Sequence, residues 1–279
     1  MGCTLGAAFF GEVNMDWNKI VETICIVIEE LKKPYEKIIR DDIFGMLEKY
    51  CTVIYYPLEN ESNCGFHTRR FVNGGLEHFV YINTAQPLSK QVFAAAHELG
   101  HVWGVAERVG EKLESEESWS QEQEEQIINR FAAELMMPKN EFLSAFKQYV
   151  NELELDSEQV RFVDMIHLMV LQMNEFMVPY EAVRRRLIET HIIGRKSGEL
   201  LKAHKDIVDK LVEVYASEKN TMLDTKTMKR TIPGLRTLVE EAEGKKHVSP
   251  YILAQIKRDF NIVDLDSTEG IIDIIAKEK

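Results

Sequence analysis

The sequence predicts an α+β fold, in which a small sheet leads into a helix and a mostly helical remainder follows. Three observations predict it. Strand-like runs fall between residues 51 and 82. The helix-forming stretch Ala94-Ala95-Ala96-His97-Glu98-Leu99-Gly100-His101 comes directly after them. Residues 139–279 read as mostly helical.

Element by element, residues 1–14 read as a loose tail, and helical periodicity begins just after Met15, itself a candidate start. Trp17, Ile20, Val21, Ile24, Ile28 and Leu31 recur at helical spacing. A second helix is expected over Asp42 to Tyr50. Cys51 to Tyr56 is β-branched and aromatic and reads as a strand ended by Pro57, before a polar loop over 57–64. Phe66 to Val72 and Leu76 to Ile82 flank Asn73-Gly74-Gly75, the pattern of a hairpin. Ser89 is the expected N-cap of the helix that carries His97. The acidic residues 107–125 read mostly as a solvated loop. A further helix is expected from Ser120 to Met137, stopped by Pro138.

The bulk properties exclude several classes. The 279 residues suffice for one large domain or two ordinary ones. With 45% hydrophobic and 29% charged residues the chain is globular in composition, not disordered. No apolar run approaches the roughly 20 residues of a membrane span. A net charge of −12 argues against nucleic acid held through its phosphates. Cys3, Cys25, Cys51 and Cys64 form no C-x-x-C pair, and Cys25 and Cys51 read as small core residues. The N-terminus lacks the basic region of a secretory signal, and a reducing cytoplasm fits best.

The chemistry concentrates in His97-Glu98-Leu99-Gly100-His101. Histidines four apart lie one turn apart on one helix face, so both rings reach a single tetrahedral ion. Glu98 is rotated by about 100° from His97, where it approaches an ion-bound water without ligating the ion. This is the H-E-x-x-H arrangement of zinc peptidases, with Glu98 as general base. Catalytic zinc takes three protein ligands, so a third is required. The helix from Glu124 to Met137 is the place to seek it. Ile128, Phe131, Ala132 and Leu135 define its buried face, with Glu124 near the middle and Glu125 at the edge. Periodicity slightly favours Glu124, a ligand at a cleft edge is equally reasonable, and the pattern leaves both open. Glu134 reads as an exposed helix residue.

The motif together with Glu125-x-x-x-Asn129-x-Phe131-Ala132-x-x-Leu135-x-x-Pro138 resembles the ImmA/IrrE family of zinc metallopeptidases, over about residues 15–190. Tyr81-Ile82-Asn83 resembles that family's strand before the metal helix. Ile128 and Met136 stand where the family usually has Ala and Leu. The resemblance implies a zincin-like domain over 15–155, with zinc held by His97, His101 and Glu125. It also implies Glu98 as base and Asn129 as the partner that orients a ligand. It implies a narrow protein substrate, a helix-turn-helix repressor of a mobile element or stress regulon.

Several finer roles stay open at this level. A donor for the tetrahedral oxyanion is expected among His67, Arg69, His78 and Tyr81. The strand Leu76 to Ile82 is a candidate for pairing with an extended substrate. Phe93 and Trp103 read as core residues behind the metal helix. Residues 156–195 have the cadence of a helix-turn-helix, in which Arg184-Arg185-Arg186 reads as a solvated basic face of a packed helical hairpin. His167, His191, His204 and His247 read as structural or exposed. In the helical region 196–279, Ile207, Leu211, Val214 and Tyr215 suggest one helix, and Ser249-Pro250 begins another. The rival function is a regulatory or toxin–antitoxin-like binding protein on the same scaffold.

Overall fold

The structure, a computed structural model, describes residues 16–32, 38–60, 63–72, 74–115, 118–156, 160–218, 223–246 and 248–262. The expected tail, residue Asn73 of the hairpin turn and His247 lie outside the described residues. Helix α1 (Trp17–Lys32) turns Ile20, Ile24, Val27 and Ile28 inward. Its Cys25 is exposed, contrary to the sequence reading, because it falls on the outer side of that stripe. Helix α2 (Asp42–Glu48) buries Ile43, Met46 and Leu47.

Strands β1 (Thr52–Tyr56), β2 (Gly65–Val72) and β3 (Gly75–Asn83) form one sheet in the order β1-β3-β2. β1 runs parallel to β3, and β2 pairs with β3 as an antiparallel hairpin. The strand from Leu76 to Ile82 is therefore the middle one of the sheet; from Phe79 onward both of its edges are paired and accept no further strand, while residues 75–78 pair with β2 alone. At its end Asn83 is fully buried and ties down the loop after β1. Its Oδ1 accepts from the Leu58 N–H, and its Nδ2 donates to the Asn63 carbonyl.

Helix α3 (Leu88–Val102) carries the histidines and is buried on nearly every side from Val92 to Gly100. Helix α4 (Val105–Lys112) follows, and α5 (Gln121–Met136) crosses α3 closely. A Cβ on Gly100 would stand 2.9 Å from Phe131 Cδ1 and 3.0 Å from Ile128 Cγ2, so this crossing requires glycine. Ser120 caps α5 reciprocally with Gln123.

Two sequence readings are corrected here. Ser89 is not an N-cap: it lies inside α3, whose first turn is satisfied from far along the chain. The Leu88 and Ser89 N–H groups donate to the carbonyls of Thr225 and Leu223 at 2.9 and 3.1 Å. The first part of the acidic stretch is not a loop, since α4 buries Val105, Ala106 and Val109 while its glutamates face outward.

Helices α6 (Lys139–Glu152), α7 (Phe162–Phe176), α8 (Tyr180–Glu189), α9 (Arg195–Ala203) and α10 (Lys205–Glu218) continue the chain. Met169, Phe176, Val183, Leu187, Leu201 and Val208 join the same hydrophobic core as α1, α3 and α5. Residues 223–231 then pass from the start of α3 to the outer edge of β1, where Tyr55 and Thr231 exchange backbone hydrogen bonds of 3.0 and 2.8 Å. Helices α11 (Leu235–Lys245) and α12 (Pro250–Asp259) follow, with Ser249 at the N-cap of α12.

The basic run on α8 is also corrected. Arg184 and Arg186 are buried, and only Arg185 is substantially exposed among the three. Arg184 pairs with Glu181 and donates to the Gly198 carbonyl. Arg186 forms a two-pronged pair with Glu134, which is itself buried and held by Arg130 as well. Glu134 was expected outside; a partner 52 residues later pulls it in.

Candidate metal centre

One turn of α3 separates His97 from His101, and α5 brings Glu125 across from them. His97 Nε2 and His101 Nε2 are 3.3 Å apart. Glu125 Oε2 is 3.3 Å from His97 Nε2, and Oε1 is 3.6 Å from His101 Nε2. Two ligand atoms each about 2.0–2.1 Å from one tetrahedral ion stand about 3.3–3.4 Å from each other. The three side chains therefore already have the mutual spacing that an ion would impose, and their N,N,O donor set suits a borderline divalent cation.

The rings are held from behind. His97 Nδ1 lies 3.1 Å from Asn129 Oδ1, which directs its Nε2 lone pair at the centre when Nδ1 carries the proton. Glu124 Oε1 lies 3.6 Å from His101 Nδ1, on the far side of that ring. Glu124 thus stands behind the His101 ring, whereas Glu125 faces both rings, which separates the two carboxylates that periodicity left open.

Glu98 is buried on α3 beside the cluster. Burial pushes its carboxyl up to about 7. Burial lowers the His97 pKa, but its hydrogen bond to Glu125, the Glu98 charge and Asn129 outweigh that and the net shift is upward. Burial, with His97 next to it, brings His101 down to about 4. The hydrogen bond from His97 holds Glu125 below the usual carboxylate range. A divalent cation held between these side chains would favour the ionised forms of both glutamates.

The inward face of β2 lines this centre. A Cβ on Gly65 would meet the Tyr81 carbonyl at 2.8 Å and stand 3.4 Å from Glu98 Oε1, so glycine lets the strand approach the carboxylate. Two residues on, the His67 ring lies parallel to that of His101, with centroids 6.0 Å apart and planes 11° apart. His67 Nε2 and His78 Nδ1 are 2.8 Å apart. Burial, then His78 and His101, lowers the His67 pKa to about 4. Arg69 is exposed, and its charge acts on His101 and Glu124. Tyr81 is buried, and its hydroxyl donates to the Tyr56 carbonyl at 2.7 Å. Phe93 and Trp103 are buried in the core. The period-2 alternation of β2 was the available signal for the shared face of Gly65, His67 and Arg69.

Of the remaining histidines, His167 stacks on Tyr215 and His204 packs edge-on against Phe162. Among the described residues His97, His101 and Glu125 are the only such group with metal-ligand spacing, and no helix is long and apolar enough to cross a membrane.

The model of a peptidase family, described as the IrrE N-terminal-like domain, matches residues 48–188. That interval runs from the end of α2 to α8 and contains every residue of the centre. No curated protein and no solved structure matches the chain.

Proposed function

Because the chain belongs to the IrrE N-terminal-like peptidase family, we propose that it is a zinc-dependent endopeptidase acting on a specific protein. The observation that carries this reading is the convergence of His97, His101 and Glu125 with Glu98 buried beside them. His97, His101 and Glu125 hold the ion, and Asn129 fixes the His97 ring. Zinc bound by these residues would supply Lewis acidity, which lowers the pKa of a water at the site toward neutrality. Glu98 accepts the proton of the attacking water and passes it to the leaving amine nitrogen. The free edge of β2, beside His101, replaces the central strand as the place where an extended substrate pairs by its backbone.

The substrate proposed is a helix-turn-helix repressor, cleaved to relieve repression of a mobile element or stress regulon. The sequence resemblance supports this class. Free thiols at Cys25, Cys51 and Cys64 support a reducing, cytoplasmic setting. Inward-facing Arg184 and Arg186 count against nucleic acid as partner.

Co-expression with a candidate helix-turn-helix repressor, followed by mass spectrometry of fragments, tests the reading. Glu98→Gln preserves shape and removes the base. It is expected to retain zinc and fold while cleavage falls by roughly 10²–10⁴-fold. Undiminished cleavage, or derepression without cleavage, would hand the function to the rival binding protein.

A further inference from the structure

We infer that His67, fixed by His78, is the side chain that donates a hydrogen bond to the oxyanion formed when a peptide carbonyl is attacked at this centre. The inference rests on the peptidase reading above. In that attack the water oxygen bonds to the carbonyl carbon and the C=O π pair moves onto oxygen. The water proton goes to Glu98, and the C–N bond then breaks as nitrogen takes it up. The charge on oxygen in between calls for a donor already in place, because a donor that must first be ordered loses much of its benefit.

Four side chains on β2 and β3 were candidates, and the geometry separates them. Tyr81 is buried with its hydroxyl committed to Tyr56. Arg69 is exposed on a long side chain at the rim. His78 stands behind His67, at 2.8 Å. Of the four, His67 alone has its ring parallel to that of His101, at a centroid distance of 6.0 Å, on the strand face that passes Glu98 at Gly65. The contact with His78 allows the tautomer this role requires. When His78 Nδ1–H donates to His67 Nε2, the proton of His67 must sit on Nδ1, and that N–H is free for substrate. His67 transfers no proton, and His78 acts as a positioning residue.

The test uses the full-length zinc-loaded protein and a phosphonamidate peptide built on the scissile residues that co-expression identifies. Its tetrahedral phosphorus oxygens imitate the oxyanion. His67→Phe keeps a flat ring against His101 and lacks the donor. Zinc content and affinity for a simple hydroxamate should match wild type, while phosphonamidate affinity and kcat fall by about 10²–10³-fold with KM little changed. His67→Gln restores a donor and should recover part of the loss. His78→Ala should retain zinc and lose about tenfold in phosphonamidate affinity, because His67 is then free to turn. If His67→Phe binds the phosphonamidate as wild type does, the inference is overturned while the peptidase reading stands. If Glu98→Gln cleaves normally, both fall. If His67→Phe fails to fold, the Gln and His78→Ala variants decide, and wild-type affinity in both overturns the inference.

Discussion

Glu125 and Glu134 stand near opposite ends of the same helix, α5, and their charges are met in opposite ways. The Glu134 side chain is 5% exposed and receives Arg186 through both oxygens and Arg130 through one. Its donors are fixed, numerous and positively charged. The Glu125 side chain is 44% exposed and faces two imidazoles, with no guanidinium or ammonium group in contact among the described residues. The first arrangement is electrostatically closed and welds α5 to α8. The second is open, and one divalent cation would complete it. A carboxylate surrounded by arginines holds the fold, while a carboxylate facing two imidazoles across the spacing of an ion is available for chemistry.

The sharpest way to break this comparison is Glu134→Gln. The amide leaves the Arg186 guanidinium, 1% exposed, with only Glu189 at 3.4 Å as a charged partner. Stability should fall by about 3–5 kcal/mol, read from urea unfolding midpoints. The pH dependence carries a second signature. Burial pushes the Glu134 carboxyl up, but Arg186 and Arg130 outweigh it and hold the group below the usual carboxylate range. Its folded pKa is thus depressed relative to the unfolded chain. That contribution is complete above the unfolded value, about 4.3, and is lost as pH falls through the folded one. Wild type should therefore lose stability on acidification more steeply than Glu134→Gln. Parallel acid limbs would mean that Glu134 is not the closed site described.

Metal removal probes the other end of α5 and should have a somewhat smaller effect on stability. An ion that binds only the folded chain stabilises it by about 2.7 kcal/mol at a free concentration 100 times its Kd. Chelated wild type should unfold earlier by that amount and remain folded, since the core of α1, α3, α5 and α7 includes no ligand side chain except the buried His97 ring. His101→Ala should behave as the chelated protein does and gain nothing from added zinc. Equal zinc content in His101→Ala and wild type, by metal analysis, would remove this centre.

The same contrast explains what was legible in the sequence. The stripe of α1, the β2–β3 hairpin and the His97–His101 spacing are local, because short-range period and turn chemistry dictate them. Glu134 was misread because its burial depends on Arg186, a partner on another helix. Ser89 was misread for the same reason, since backbone carbonyls at 223 and 225 do the work that a local cap would do. Arg184 and Arg186 looked solvated until Glu181 and Glu134 were beside them. The candidate centre was legible in His97, Glu98 and His101, all within one turn of α3. Its third member was ambiguous between adjacent glutamates, because one helix position shifts a side chain by only about 100°.

That ambiguity supplies the smallest expected effect and the finest test of the comparison. Periodicity favoured Glu124, whose side chain is 41% exposed, little different from Glu125, so exposure does not choose between them. Direction does. Glu125 reaches the Nε2 atoms of both rings, at 3.3 and 3.6 Å. Glu124 reaches His101 Nδ1, at 3.6 Å, beyond ordinary hydrogen-bond length. At that distance its influence on the His101 ring is weaker than that of Asn129 at 3.1 Å on His97. Glu124→Gln removes the charge and keeps the shape, so zinc affinity, measured by competition with a chromophoric chelator, should fall by less than about tenfold. With Glu125 as the proposed third ligand, Glu125→Gln should cost more than about 100-fold. The reverse order would move the third ligand one position back, and α5 would then carry its open carboxylate at 124.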